Sequence, residues 1–480
     1  MEIQTVIKCE AAQNGLMDII ELCNVVSGKI VADFSSKAFF THVATDSRDV
    51  VCGSLFVPLR GENQDGHNYI FQAVEKGAVC FFVDSCFFEN SDNQNLIRSL
   101  CKKNMVCCIQ VDNNLQALQN AATFYLSKFS NLLKIGITGS VGKTTTKEIL
   151  VSILKQKYNT IFSRGNFNSE TGLPLSVFNV RSNHEVAVFE LGMNRVGEIK
   201  ELTGIFKPFI SVITNICPAH IGILGSLRAI AEEKKQIFSE FKDDSVGFIS
   251  EGEFSDYLQN VPAGEVRVVN GDSIAGLKSV EDLGLDGFRL FYENEVINCP
   301  LVGRYNLDNI FMALAVAEFL KVEPEFIKKG LESVKTLFGR SEIMHGSVDY
   351  FLDCYNANPN SMRSVIDFAS SLKTNGRKVF VLGSMLELGD FSKDAHIEMC
   401  NTAFASNADR VYIYGDEFVD AFKQSGVKDD RFLCFQTNRY DELEVDIDRY
   451  LSKNDFVLLK GSRGMALERL EKILNKESLK

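Results

Sequence analysis

Lys143 and Thr144 follow Gly142 in the run LLKIGITGSVGKTTTKEIL, where an apolar strand, a glycine-bearing turn and a helix start succeed one another. Backbone N–H groups at small residues such as Gly139 and Gly142 can approach phosphate oxygens, and a helix N-terminus together with the Lys143 ammonium favours negative charge. Thr144 can offer its hydroxyl to Mg²⁺. The longer pattern GxxxxGK[ST] would need glycine at position 137, which is Ile137, so this loop is a short variant, GxxGKT. A tight strand-to-helix turn that happens to contain GKT is the alternative the residues leave open.

A nucleotide loop calls for a carboxylate near Mg²⁺ at the end of a neighbouring strand. EVAVFELGMN offers Glu190, after four largely apolar residues and before Gly192, at the carboxyl edge where ligands of open α/β sheets gather. Capping that turn would suit Glu190 equally well. The next strand, SVITNI, ends at Asn215, and CPAHIGILGS then puts His220 at the same edge, as a structural or a catalytic histidine. Lys234 and Lys235 lie in the helical AEEKKQIF, which by composition reads as a solvated charged face. No NKxD-type guanine motif occurs, so ATP is the expected nucleotide.

These residues need a scaffold of alternating elements. The 480 residues suggest about three domains. With 45% hydrophobic and 24% charged residues, each can bury a core. Residues 1–112 read as a small α/β domain (VATDSR, SLFVPLRG, the helical YIFQAVEKGA, then VCFFVD). Residues 113–322 alternate apolar strands with amphipathic helices and predict a largely parallel sheet carrying the ATP site. Residues 323–480 alternate again (VDYFLDCY, SMRSVIDFASSL, RKVFVLGS, FVLLKGS) and predict a Rossmann-like, doubly wound sheet. The fold class is α/β throughout.

The net charge of -12 argues against a protein that coats nucleic acid. Thirteen scattered Cys without a CxxC pair suit reduced thiols. The N-terminus lacks a signal-like apolar run, and no stretch approaches the roughly 20 apolar residues of a membrane span. A cytoplasmic monomer is expected.

The chain resembles the Mur ligases, ATP-dependent amide-forming enzymes of bacterial peptidoglycan precursor synthesis. The resemblance runs through TDSRDVVCGSLFVPLRGENQDGH (45–67), GITGSVGKTTTKE (136–148), GNFNSETGLPLSV (165–177), FELGMNRVGEI (189–199) and TNICPAHIGILGS (214–226). It continues in GRYNLDNIFMALA (303–315), FGRSEI (338–343), DCYNANPNSM (353–362), LGSMLELGD (382–390) and LLKGSRGM (458–465). DxYNANPxSM and MLELG are similar to the branch that adds D-alanyl-D-alanine to UDP-N-acetylmuramoyl-tripeptide, and the DNPR-like segment of the third-residue-adding branch is absent.

The resemblance implies attack of the substrate carboxylate on the γ-phosphate of ATP, then displacement of phosphate by the dipeptide amine. It implies nucleotide contacts from Thr138, Gly139, Ser140, Val141, Gly142, Lys143, Thr144 and Thr145. Asn306 and Asn309 match the adenine pocket, and Arg340, Asp353, Asn356 and Asn358 match residues of the third domain that meet ATP. Thr144, Glu190, His220 and Lys234 match ligands of what are expected to be two Mg²⁺ ions, with Lys143, Glu190, His220 and Lys234 as the catalytic set. Lys234 matches a lysine carried as a CO₂-derived carbamate, which reverses the solvated-face reading for Lys234 but not for Lys235. Ser47, Arg48, Asp65 and His67 resemble the uridine-nucleotide region, Asn166 and Asn168 the muramoyl-peptide site, and Lys460, Ser462 and Arg463 the dipeptide site.

Tyr305, Ser384, Cys354 and Ser169 stand where the family more often has His, Asp, Ser and Asn. A third-residue-adding Mur ligase, a folylpolyglutamate synthase and a P-loop nucleotide sensor without catalysis are the competing readings. Because the candidate residues are spread over the chain, the third domain is expected to swing about a hinge at 320–325.

Overall fold

The computed structural model describes residues 15–33, 39–61, 64–218 and 221–476. Contacts group the chain into two compact units: residues 1–136, 161–193 and 198–208 form one, and 137–160, 194–197 and 209–480 the other.

The first unit holds a five-stranded sheet in the order Lys29–Asp33, Cys107–Val111, Ala78–Asp84, Ser54–Phe56, His42–Ala44. Its first pair is antiparallel and the others are parallel. Ala78–Asp84 is a continuous apolar run because every one of its residues is buried, as a central parallel strand requires. The Ser91–Asn104 helix covers one face with Ile97, Leu100 and Cys101, starting at an Asn90 cap and stopping at Met105 in the left-handed region. The same unit carries the wholly buried strand Val186–Glu190 and the helices Asn114–Ser127 and Glu198–Phe206.

In the second unit, Ile210–Ile213, Val246–Ser250 and Glu265–Val269 pair in parallel. The phosphate-loop helix Lys143–Leu154 packs against the helices Tyr305–Phe319 and Pro324–Glu332. The latter contact places the Pro324–Glu332 helix, which follows residue 322, against the phosphate-loop helix. Gly330 lies so close to Ile153 that a Cβ would come within 2.4 Å of its Cα, and Ser152 Oγ donates to the Gly330 carbonyl at 2.7 Å. The Pro324–Glu332 helix therefore belongs with the middle part of the chain. Leu277–Asp282, Phe288–Tyr292 and Glu295–Cys299 form an antiparallel sheet that the expected parallel pattern omitted. Phe288–Tyr292 and the end of Glu295–Cys299 alternate buried with more exposed residues, as a sheet wet on one face does, whereas Leu277–Asp282 buries none.

The C-terminal sheet runs Glu342–Met344, Asp349–Asp353, Phe456–Lys460, Lys378–Gly383, Arg410–Tyr414, Phe432–Phe435 and is parallel after its first pair. Period-two alternation sorts its side chains into two cores. Phe351, Phe380 and Leu382 enter one, and Tyr350, Leu352, Val379 and Val381 the other, so helices cover both faces. This is the expected doubly wound α/β sheet. No helix among the described residues is long and apolar enough to cross a membrane, and every described cysteine is a free thiol.

Candidate active site

The phosphate loop leaves its strand at Thr138 and enters the Lys143–Leu154 helix at Gly142. Two glycines are obligatory there. Gly139 has φ 150° and a Cβ would fall 1.9 Å from Thr214 Oγ1; Gly142 has φ 80° and a Cβ would fall 2.2 Å from Asn309 Oδ1. The segment after strand Ile210–Ile213 grips the loop from outside. Asn215 accepts the Ser140 N–H on its carbonyl (3.0 Å) and the Val141 N–H on its Oδ1 (2.9 Å). Thr214 Oγ1 donates to the Val141 carbonyl, and Ser140 Oγ both donates to the Cys217 carbonyl and accepts its N–H. Lys143 Nζ donates to the Gly139 and Ser140 carbonyls at 2.9 and 3.3 Å. Thr144 is buried at the helix start beside the half-buried Thr145, and Thr138 Oγ1 is buried with no hydrogen-bond partner among the described residues.

Lys234 is 1% exposed on the Leu227–Lys235 helix, so its side chain lies inside, not on a solvated face. Burial pushes the Cys217 thiol up, against opposing effects of the Ser140 hydrogen bond and the charges of Lys234 and Lys143. Lys235 diverges: its Nζ donates to the Tyr257 and Asn260 carbonyls over the Tyr257 ring.

Thr145, Asn306, Leu337, Arg340 and Ser341 line a narrow cleft of about 20 Å³, room for little more than one water. Asn309, expected in the same pocket, turns to the loop helix instead: its Oδ1 accepts from Thr146 Oγ1 at 3.0 Å and its Nδ2 donates to Asn306 Oδ1 at 2.9 Å. Tyr305, in place of His, shares a hydrogen bond with Ser341 Oγ at 2.9 Å. Burial and the nearby Asp353 charge push its hydroxyl pKa up, so it stays neutral.

Asp353 accepts the Ser341 N–H at 3.1 Å and the Lys460 ammonium at 2.8 Å, and Lys460 also donates to the Asn356 carbonyl at 2.7 Å. Arg340 stacks over the Tyr355 ring at 4.1 Å. Asn358 caps the Pro359–Ser371 helix through a reciprocal pair with Ser361 and is buried, while Asn356 is exposed. Ser462 Oγ accepts the Leu386 N–H, and Arg463 pairs with Glu468 at 2.7 Å. Ser384 is fully buried and accepts the Phe418 N–H on its hydroxyl; a carboxylate there would be an unpaired buried charge, so this departure from the family is accommodated by its surroundings.

In the first unit, Asn168 Nδ2 donates to Glu190 Oε1 at 2.8 Å and its carbonyl accepts the Gly192 N–H, so it orients the carboxylate; Asn166 is exposed beside it. Arg48 lies on the surface in a two-pronged pair with Asp46, whose carboxyl those hydrogen bonds hold down at about 2. Ser47 is buried and donates to Gln72. His67, expected in the uridine-nucleotide region, lies inside. It is 3% exposed, stacks on Phe87, bonds Asp65 through Nδ1 at 2.6 Å and accepts the Asp84 N–H on Nε2, which leaves the half-exposed Asp65 carboxylate as the group presented outward. His220 lies outside the described residues.

Three family models match the chain: the Mur ligase family catalytic domain over residues 40–125, the Mur ligase middle domain over 137–317 and the Mur ligase glutamate ligase domain over 339–463. The chain is 42% identical, over 96% of its length and all of the relative's, to the UDP-N-acetylmuramoyl-tripeptide–D-alanyl-D-alanine ligase of Treponema pallidum (strain Nichols). It belongs to the Mur ligase family. The correspondingly named ligase of Bacillus subtilis (strain 168) is 33% identical over 94% of this chain and 97% of its own. Among solved structures, MurF from Acinetobacter baumannii superposes with a TM-score of 0.83 at 27% identity, covering 95% of this chain and 98% of that one. MurF ligase from Thermotoga maritima, solved in complex with ADP, gives 0.74 at 28% identity over 91% and 97%.

The ligase's own residues fit a nucleotide with Mg²⁺. Mg²⁺ keeps several waters and takes few protein ligands besides phosphate oxygens, and the buried Thr144 hydroxyl at the helix start is placed to be one of them. The partnerless buried Thr138 hydroxyl is the kind of group that a phosphate or its hydration would satisfy. Sequence reasoning missed Asn215 as a loop residue and Asn114, whose amide donates to Pro58 O and reaches His67. The only signal for Asn215 was its place at a strand's carboxyl end, and a lone Asn after a strand has many uses.

Proposed function

We propose that this Mur ligase joins D-alanyl-D-alanine to UDP-N-acetylmuramoyl-tripeptide at the expense of ATP. The observation that carries the proposal is the glycine-dependent phosphate loop, with Lys143 at the start of its helix and Thr145, Asn306 and Arg340 along the narrow cleft beside it.

The tripeptide's terminal carboxylate attacks the γ-phosphorus of ATP, breaking the bond to ADP and forming an acyl phosphate. The uncharged amine of the dipeptide then attacks the acyl carbon; phosphate leaves with the electron pair and the nitrogen loses its proton. Lys143, the amides of Gly142 and the helix start, and Arg340 meet negative charge that spreads during transfer, and charge stabilisation is the main contribution a protein makes to such a step. Mg²⁺, held by Thr144 and, as the resemblance implies, by Glu190, His220 and a carbamylated Lys234, would screen the phosphates. A carbamate turns a cation that would repel Mg²⁺ into an oxygen ligand. Asn168 orients Glu190, Lys460 fixes Asp353 and Asn356, and Ser462 and Arg463 belong to the dipeptide side, where Arg463 can form a two-pronged pair with the dipeptide carboxylate. Asp65 and Arg48 serve the uridine nucleotide. The three-part domain division is retained, with the third part beginning near residue 339 rather than 323. The enzyme acts as a cytoplasmic monomer.

Steady phosphate release that requires both UDP-muramoyl-tripeptide and D-alanyl-D-alanine tests the proposal. Release with a single amino acid in place of the dipeptide would assign the chain to the third-residue-adding reaction, and nucleotide binding without turnover would make it a sensor. Lys143→Ala should reduce turnover by at least about a hundredfold, since it removes a charge aimed at the phosphates.

A further inference from the structure

We infer that Asn215 is a positioning residue for the phosphate loop, setting the path on which its amides and Lys143 receive the nucleotide. The inference rests on the proposed ATP-dependent reaction and goes beyond it, because Asn215 touches the loop from outside rather than the phosphates.

The loop must turn from a strand into a helix within four residues, Gly139 to Gly142, two of them in the left-handed region. So short a turn cannot satisfy its own backbone groups, and buried N–H groups need partners. Asn215 supplies both missing acceptors: its carbonyl takes the Ser140 N–H and its amide oxygen takes the Val141 N–H. Its neighbours close the mould. Thr214 takes the Val141 carbonyl through its hydroxyl, and the Cys217 backbone holds Ser140 Oγ from two sides. Asn215 is itself fixed by the parallel strand Ile210–Ile213 and by the Thr214 N–H bond to the Thr138 carbonyl. A carboxamide fits this place better than a carboxylate, because it accepts a hydrogen bond without setting a negative charge beside a triphosphate.

The Ser140 and Val141 amides, expected to contact the nucleotide, are thus engaged with Asn215. Their part in binding is to hold the turn that delivers Gly142 and the helix start.

The test uses the full chain and Mg²⁺·ADP, with binding measured by calorimetry at equal ionic strengths and unfolding followed by circular dichroism. Asn215→Ala removes the side-chain acceptor and should weaken ADP at least tenfold and raise the KM for ATP by a similar factor, while the KM values for the other two substrates stay within about twofold. Asn215→Asp keeps an oxygen for the Val141 N–H but adds charge; in about 0.5 M salt, where charges beyond a few ångströms are screened, it should bind ADP several-fold more tightly than Asn215→Ala. ADP binding by folded Asn215→Ala within twofold of the parent overturns the inference, as does equal loss in both variants at high salt. If Asn215→Ala does not fold, the Asn215→Asp comparison with the parent decides: recovery in high salt supports the role and an undiminished deficit overturns it. Binding of ADP by the parent without ligation would refute the proposed reaction and leave the role of Asn215 standing.

Discussion

The Lys460 ammonium donates to the Asp353 carboxylate at 2.8 Å in a pair whose side chains are only 2% and 14% exposed. Residues from two ends of one domain, 107 positions apart, are tied at the carboxyl ends of the adjacent strands Asp349–Asp353 and Phe456–Lys460. Removing one partner of a buried pair leaves an uncompensated charge, which typically costs about 3–5 kcal/mol. Lys460→Met should therefore lower stability by that order in urea unfolding, and Lys460→Met with Asp353→Leu should recover much of it. Ligation should be lost in both.

Lys234 is buried beside the loop, so its replacement tests chemistry as well as packing. Lys234→Ala is expected to lose most activity, and a short carboxylic acid or bicarbonate should restore part of it by supplying the oxygen ligand. A structure with Mg²⁺ and nucleotide in which the Lys234 side chain carries no CO₂ would contradict the carbamate.

The pH dependence has a defined sign at His396. Its ring is fully buried, accepts the Met385 N–H on Nε2 and donates from Nδ1 to the Ser392 carbonyl, and burial pushes its pKa below the ordinary 6.5. Between the lowered folded value and 6.5 the unfolded chain binds more protons than the folded one, so stability rises with pH across that window. It is fully present above about pH 6.5 and is lost as pH falls through the folded value. Tm should fall from about pH 7 to about pH 5, and His396→Gln, which cannot take up a proton, should show a shallower slope.

Closure of the third domain should pivot at 334–340, not at 320–325. The Pro324–Glu332 helix beyond the expected hinge is packed on Ile153 and Ser152, whereas 334–340 carries no helix or strand and includes Gly339 at φ 66°. Gly339→Val, strained in that conformation, should raise the KM for ATP, because the adjacent Leu337 and Arg340 line the cleft. The matching change at Gly330 should instead lower Tm by crowding Ile153. Equal effects on KM and Tm at the two sites would refute the pivot.

The phosphate loop was legible in the sequence because its requirements are local: a strand, two glycines, a lysine and a helix start within a dozen residues. The doubly wound C-terminal sheet was legible because buried parallel strands read as continuous apolar runs. Spacing alone misplaced the Pro324–Glu332 helix, since an amphipathic helix does not say which neighbour covers its face; Gly330 against Ile153 decided that. Lys234 and Lys235 look alike in sequence, yet one is buried and the other clamps two carbonyls, because adjacent helix positions point about 100° apart. His67 sits in a motif whose outward group is Asp65, and Asn215 acts on a loop more than 70 residues away. Local propensity and motif spacing thus determined the elements and the chemistry they offer. Only tertiary packing decided which side chains face the nucleotide and which hold others in place, because burial and hydrogen-bond partners are set by segments distant in the chain.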